Sequence, residues 1–359
     1  MSVPVLYLLA TVTAFVTAIF ATPRVRTLAL KVGVLDAIGE RRMHVEPKPR
    51  IGGIAVYLGV ASALFVTIGF ALHTALFHSA NDTQDFFGLL FGGTLIMLVG
   101  VWDDIMGMRP RNKFVAQAVV AIISMVYGFH LHDIKVPGTE NYVNLPAWID
   151  YPLTLIWYLG MMNAINFLDG LDGLLAGVTA ISGVFLFAIA AMHGHIGAAL
   201  VLAGLVGGAL GFLPFNFNPA KIILGDTGSL FIGYVFATVS LLVTAKVAVT
   251  VSLLVPLVAL ALPVADTAAA IVRRLRAGRA ITEADRGHFH HMLVFRFGLG
   301  VKQAVLLIYG VSFLLGMAAY LLSGGAARAH LTGVAARHGA AGIAAAHPKT
   351  AQLARGAMH

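Results

Sequence analysis

Residues 174–213 read LLAGVTAISGVFLFAIAAMHGHIGAALVLAGLVGGALGFL, without one acid, lysine or arginine. A run of this kind needs apolar surroundings on every side, and lipid supplies them. His193-Gly194-His195 punctuates it, so it divides into two spans, 173–192 and 196–213. Each is close to the roughly 17–25 residues that cross a bilayer. Working outward, further apolar runs occur at 3–22, 51–72, 86–102, 114–131, 150–166, 229–245, 247–271 and 301–323. The join near Lys246 is tight and leaves room for a re-entrant arrangement. The whole chain is 59% hydrophobic and 11% charged, against about 25% charged in soluble domains. The expected fold is therefore all-α: a polytopic membrane protein with about ten transmembrane helices.

Lysine and arginine fall almost wholly in alternate loops. One set holds Arg24 to Arg50, then Arg109, Arg111 and Lys113, then Lys221, then Arg273 to Arg296. The other set holds only Lys135 and Lys246 before the C-terminal tail. Basic loops stay in the cytoplasm, so the first set is expected inside and both termini in the periplasm. The net charge of +8 is thus topological, and a nucleic-acid partner is not expected. The first run lacks a basic leader and is long enough to span, so a retained helix is expected rather than a signal peptide. The chain has no cysteine, which excludes disulfides and thiolate metal sites.

Residues 1–323 form the expected membrane domain. Residues 324–359, rich in Ala, Gly and His, are expected to be a poorly ordered periplasmic tail. Its histidines lack the regular spacing of a metal site. The outside loop 132–149 carries turn residues between short extended stretches, which fits a small hairpin.

The chemistry-bearing residues lie mostly in the loops expected inside, of which the third, 163–173, carries no lysine or arginine. Pro47-Lys48-Pro49-Arg50 precedes Gly52-Gly53 at a helix start, where anions are favoured. Asp103-Asp104 directly follows an apolar run, an expensive place for acids, and Lys113 lies nine residues on. Acids hold a hard cation and bases hold phosphate. In the third loop Asn163, Asn166, Asp169 and Asp172 recur every three residues, which places them near one helix face. Gly170 and Gly173 imply that the helix breaks there. Asp226 sits among glycines in Gly225-Asp226-Thr227-Gly228-Ser229 and can reach a metal. Phe215 and Phe217 suit either base stacking or interfacial anchoring. The fifth loop carries His288, His290 and His291 beside several arginines. Their spacing does not suit zinc, and contact with phosphate or a leaving group fits better. Asp266 lies within the ninth span and either functions or pairs with Arg273 or Arg274. Acids with amides for one Mg2+, and bases with histidines for a diphosphate, together describe phosphoryl transfer.

These motifs, in this order and in these loops, resemble the polyprenyl-phosphate N-acetylhexosamine-1-phosphate transferases over about residues 1–323. The histidine segment, followed by Met292-Leu293, is more similar to the branch that starts envelope glycans than to the branch that uses UDP-MurNAc-pentapeptide. The resemblance implies attack of undecaprenyl phosphate on the β-phosphorus of a UDP-HexNAc, most often UDP-GlcNAc. The products are a lipid-linked sugar diphosphate and UMP. The cofactor is Mg2+, with Mn2+ an option. It implies Asp226 as metal ligand with Asn166 a second candidate, and Asp103 and Asp104 as essential acids. Lys113 falls on a phosphate-holding lysine, Asp172 near the uracil, and His290 and His291 near the diphosphate and sugar. Lys48, Arg50, Asn163, Asp169 and His288 complete the expected substrate contacts. A bacterial inner-membrane location with a cytoplasmic-face active site follows, and the family allows a homodimer. Two other classes compete. A CDP-alcohol phosphotransferase needs Arg where Gly177 stands. A transporter would place its ionisable residues at mid-membrane.

Overall fold

A computed structural model describes residues 2–36, 47–73, 80–131, 133–135, 142–244, 261–276 and 289–346. The helices are α1 (Val3–Val32), α2 (Gly53–His73), α3 (Ala80–Met106), α4 (Pro110–Val126), α5 (Ala147–Leu168), α6 (Leu174–Met192), α7 (Ile196–Asn216) and α8 (Gly225–Thr244). They are followed by α9 (Ala261–Arg276), the short α10 (Phe289–Phe295) and α11 (Val301–Ala346). Two small antiparallel ribbons join them: β1 (Leu35–Asp36) with β2 (Lys48–Pro49), and β3 (Asp133–Lys135) with β4 (Tyr142–Asn144). The second ribbon is the hairpin expected in the outside loop.

Each of the ten expected spans overlaps one helix, the ninth only in part, because 247–260 lies outside the described residues. Among the described residues seven helices, α1, α2, α3, α6, α7, α8 and α11, are long and apolar enough to cross a membrane. The all-α membrane architecture is as expected, and seven of the ten expected spans have the length and apolarity of a crossing helix. At 17 and 16 described residues, α4 and α9 are short. Helix α5 carries Asp150, Asn163 and Asn166 among its apolar residues. Past residue 323, helix α11 continues to Ala346, and 347–359 lie outside the described residues.

Lipid gives helices no hydrophobic reason to adhere, so close packing through small residues must do it. Glycines line the seams. A Cβ on Gly207 of α7 would lie 2.2 Å from the Thr11 carbonyl of α1, and one on Gly211 would lie 2.5 Å from that of Phe15. Ala10, Ala14 and Ala18 of α1 are fully buried along this face. The same device seats α8. Gly53 of α2 approaches the Gly228 backbone, Gly100 of α3 that of Thr227, and Gly233 of α8 that of Met162 in α5. As a result α8 is the most enclosed of the seven spans.

At one end of the bundle the connections are tied to each other. Strand β2 leads into α2 beside residues 221–224, which lead into α8. Ile223 donates to the Pro49 carbonyl at 2.9 Å, Gly52 to Ile223 at 3.0 Å and Gly53 to Leu224 at 2.9 Å. The rigid Pro-Lys-Pro-Arg stretch is thereby fixed against the start of α8. After α4, His130 Nδ1 pairs with Asp150 Oδ2 at 2.5 Å, and Thr154 Oγ1 donates to Asp150 Oδ1 at 3.0 Å.

The seams make a direct prediction. Gly207→Ala must force α1 and α7 apart, and overpacking of this kind costs about 1–3 kcal/mol. At roughly 2–4 °C per kcal/mol for a chain of this class, the apparent Tm in detergent should fall by several degrees. Gly69→Ala, in α2 with nothing within 4 Å of the new methyl, should leave Tm unchanged or raise it slightly.

Candidate active site

Helix α8 begins at this tied end, and its first amides have no partners within the helix. The partner comes from α3. Asp104 Oδ1 accepts from the Asp226 amide at 3.0 Å, and Oδ2 accepts from the Thr227 amide at 2.9 Å and from Thr227 Oγ1 at 2.7 Å. Asp104 is thus an N-cap supplied by another helix, and its charge suits the positive end of the α8 dipole. Gly225, at φ 71°, makes the approach possible, since a Cβ there would lie 2.4 Å from Asp104 Oδ2. Arg50 Nε closes the other side of Asp104 Oδ1 at 3.1 Å.

Neighbouring residues on a helix point about 100° apart, so Asp103 goes elsewhere. Its Oδ2 meets Lys113 Nζ at 2.9 Å, and its Oδ1 accepts the Met108 amide at 2.7 Å, closing the turn after α3. Lys113 also reaches Asp226 Oδ1 at 2.9 Å, so one ammonium bridges two carboxylates. Asn166 Nδ2 bonds the same Asp226 oxygen and also donates to Ser229 Oγ at 2.7 Å. Arg50 Nη2 lies 3.5 Å from Asp226 Oδ2 and Arg50 Nη1 3.6 Å from Asp36. Asp226 is the hub of the cluster.

The third loop breaks as expected. Helix α5 stops at Leu168, Gly173 turns at φ 81°, and α6 starts at Leu174. The Asn216 carboxamide oxygen accepts the Gly173 amide at 3.2 Å, and Tyr309 of α11 donates to the Gly173 carbonyl. Asp172 Oδ2 faces Lys48 Nζ at 2.8 Å, the Ala220 amide at 2.9 Å and Asn218 Nδ2 at 3.1 Å. Asp169 is partly exposed and lies in the field of the whole group. Burial first, then the Asp226 and Asp104 carboxylates, raise it to about 8, with Arg50 opposing and Asp172 adding to the rise. Asn163, three residues before Asn166, lies deeper along α5 and donates to Gln117 Oε1 at 2.7 Å.

Six expected site residues, Arg50, Asp103, Asp104, Lys113, Asn166 and Asp226, are therefore joined by direct contacts at one end of the bundle. Two more, Lys48 and Asp172, pair with each other in a second patch, linked to the rest through β2 and residues 218–224. His288 lies outside the described residues. His290 and His291 lie in α10, with their side chains outside the description. Thr227, Ser229, Asp36 and Gln117 take part without having been singled out as site residues. A hydroxyl one and three residues after Asp226 was the available signal for the first two.

Among the described residues no three acidic or histidine side chains converge tightly enough to cage a metal. The donors at Asp226 are nonetheless hard oxygens: two carboxylates and a carboxamide. Mg2+ is commonly held by one or two carboxylates with substrate phosphates completing the shell, and the donor set fits that mode.

The raised Asp169 has a thermodynamic consequence. The folded protein holds this proton up to about pH 8, while the unfolded chain releases it near the ordinary value of 3.8. Stability from Asp169 is thus complete below that lower value and is lost as pH rises to about 8. Asp169→Asn has no proton to lose. Its apparent Tm relative to the parent should climb between pH 5 and 8.5 by a few degrees, at roughly 2–4 °C per kcal/mol. A difference that stays flat across this range would contradict the placement of Asp169.

Comparison with known proteins gives this end of the molecule a context. Residues 86–244, from α3 through α8, match the family model described as Glycosyl transferase family 4. The chain is 35% identical over 314 residues to a probable undecaprenyl-phosphate N-acetylglucosaminyl 1-phosphate transferase of Bacillus subtilis strain 168, covering 87% of this chain and 83% of the relative. It is 34% identical to a decaprenyl-phosphate N-acetylglucosaminephosphotransferase of Mycolicibacterium smegmatis, covering 83% of this chain and 77% of that protein. A phospho-N-acetylmuramoyl-pentapeptide-transferase of Bacillus thuringiensis is 34% identical over a shorter stretch, 61% of this chain and 68% of its own. With matching motifs assembled at one end of a helical membrane bundle, and with these relatives aligned over most of its length, the chain belongs to the polyprenyl-phosphate N-acetylhexosamine-1-phosphate transferase family.

Proposed function

We propose that the protein transfers a HexNAc-1-phosphate, GlcNAc-1-phosphate first among the candidates, from a UDP-sugar to undecaprenyl phosphate, starting a lipid-linked envelope glycan. The observation that carries this reading is the Asp226 hub. It places an acid, a carboxamide, Lys113 and Arg50 together where α8 starts, at the end of a membrane bundle. The names of the relatives that align over most of the chain support the same substrates.

An oxygen of the lipid phosphate attacks the β-phosphorus of the UDP-sugar. The new P–O bond forms as the bond from that phosphorus to the bridging oxygen breaks, and UMP leaves with the electron pair. The nucleophile is a phosphate monoester with a second pKa of about 6. It is largely dianionic at pH 7, and no base is required to activate it. The obstacle is the approach of two anions, which cations and amides must offset. Lys113 and Arg50 are poised to do so, and Asp103 holds Lys113 in place. Asp104 fixes the start of α8 and with it Asp226. Lys48 and Asp172 form a second polar patch suited to the nucleoside end. His288, His290 and His291 are assigned to the diphosphate and sugar on the resemblance alone. Asp226, with Asn166 and Asp103, would hold Mg2+, which supplies charge neutralisation for the diphosphate.

UMP release by the purified protein tests the reaction. UDP-GlcNAc, UDP-GalNAc and UDP-MurNAc-pentapeptide are offered with undecaprenyl phosphate, with Mg2+ or with chelator. UDP-GlcNAc should give the highest rate, chelator should abolish it, and folded Asp226→Ala should lose at least about 10²-fold. Normal turnover by that variant would remove Asp226 from the site.

On the positive-inside rule the proposed site lies at the cytoplasmic face of the inner membrane, with both termini in the periplasm. Because the chain has no cysteine, single introduced thiols can test this. Asn144→Cys should react with a membrane-impermeant maleimide on spheroplasts, and Arg109→Cys only after permeabilisation. Both positions are exposed, so the reverse pattern would invert the topology.

A further inference from the structure

One buried polar contact lies beneath the site and outside the chemistry described so far. Gln117 is fully buried in α4, and its Oε1 accepts from Asn163 Nδ2 of α5 at 2.7 Å. Asn163 Nδ2 also donates to the Leu159 carbonyl at 2.8 Å, which anchors it to its own helix. Gln117 follows Lys113 by four residues, and Asn163 precedes Asn166 by three. Residues at these spacings lie one turn apart on the same helix face. Helices α4 and α5 therefore meet through two rungs. In the outer rung Lys113 and Asn166 converge on one oxygen of Asp226. In the inner rung Gln117 meets Asn163.

We infer that Gln117 is a positioning residue for the transfer reaction: its bond to Asn163 holds α4 and α5 in the register that delivers Lys113 onto Asp226. The inference rests on the reading of this end of the bundle as a phosphoryl-transfer site. Lys113 reaches the hub on a long, flexible stem, and α4 is one of the shorter helices of the bundle. Something must set its height against α5, and apolar contacts slide more readily than a directional hydrogen bond. Adhesion alone does not account for the residue. Gln117 Nε2 is buried with no acceptor among the described residues. An apolar side chain of similar size would avoid leaving that donor unsatisfied. The carboxamide is kept at a cost to stability, which points to a requirement of geometry.

The full-length protein carrying Gln117→Met is compared with the parent by UMP release from UDP-GlcNAc and undecaprenyl phosphate. The expected result is a kcat lower by about 10- to 100-fold, a KM for UDP-GlcNAc within about twofold, and an apparent Tm no lower than the parent's. Gln117→Glu keeps an oxygen for Asn163. Its oxygens accept from Asn163 Nδ2 whether the carboxyl is neutral or ionised, so it should retain more turnover than the Met variant. Parental kcat in the Met variant overturns the inference, and so does a loss of kcat matched by a fall in Tm. A Glu variant no better than Met at any pH also overturns it. A parent that releases no UMP from any donor overturns the functional reading, and this inference falls with it.

Discussion

The structure depends on one contact, between the Asp104 carboxylate and the first amides of α8. A helix that starts inside a bundle exposes unpaired N–H groups, and in apolar surroundings each must find a partner. Here α3 supplies that partner, with three hydrogen bonds to one carboxylate. The contact joins two spans far apart in sequence and determines where Asp226, the next side chain on α8, must point. Everything around it accommodates this approach. Gly100 lets α3 come close, Gly225 clears space for the carboxylate, and Arg50 closes the remaining side. The backbone zipper between residues 49–53 and 223–224 then keeps Arg50 where Asp104 needs it.

That arrangement makes single cations serve several carboxylates. Lys113 is shared between two acids, Arg50 among three, and Asp169 retains its proton into the neutral range. An acid-rich pocket is a poor receptor for a nucleotide sugar and a lipid phosphate on Coulombic grounds alone. It becomes a suitable one when a divalent cation is shared between protein and phosphates, because the same acids then bind the neutralising charge.

Much of this was legible in the chain. Apolar runs placed the helices, and acids and amides at their ends marked loops that the structure brings together. The break after Leu168 followed from Gly170 and Gly173. The functions of Asp103 and Asp104 were not separable in the same way. As adjacent letters they read as a pair, yet helix geometry sends one to the α8 amides and the other to Lys113. Only the partner surfaces determine which goes where. Gln117 was invisible for a different reason: a single glutamine in an apolar helix has no pattern, and its meaning lies in Asn163 across the interface. The count of spans was the coarsest expectation. Helix α4 spends its first turn on Pro110, Arg111, Asn112 and Lys113, and α5 carries polar residues that serve the site, so neither reads as a simple lipid-facing helix.

The position of the cluster along the membrane normal is itself a physical constraint. Unpaired charge at mid-bilayer is expensive, while a phosphate on a membrane lipid stays at the headgroup level. Chemistry that joins such a lipid to a water-soluble nucleotide sugar must therefore sit at helix ends. The acids, amides and lysine of this protein lie at the ends of α3 and α5 and the starts of α4 and α8. A helix start also presents the positive end of its dipole, which favours arriving phosphate. In α8 that end is already engaged by Asp104, so the dipole stabilises the cap, and the cap in turn orients Asp226. Phosphate recognition is then left to the side-chain cations, while the backbone of α8 serves as the fixed frame on which they are arranged.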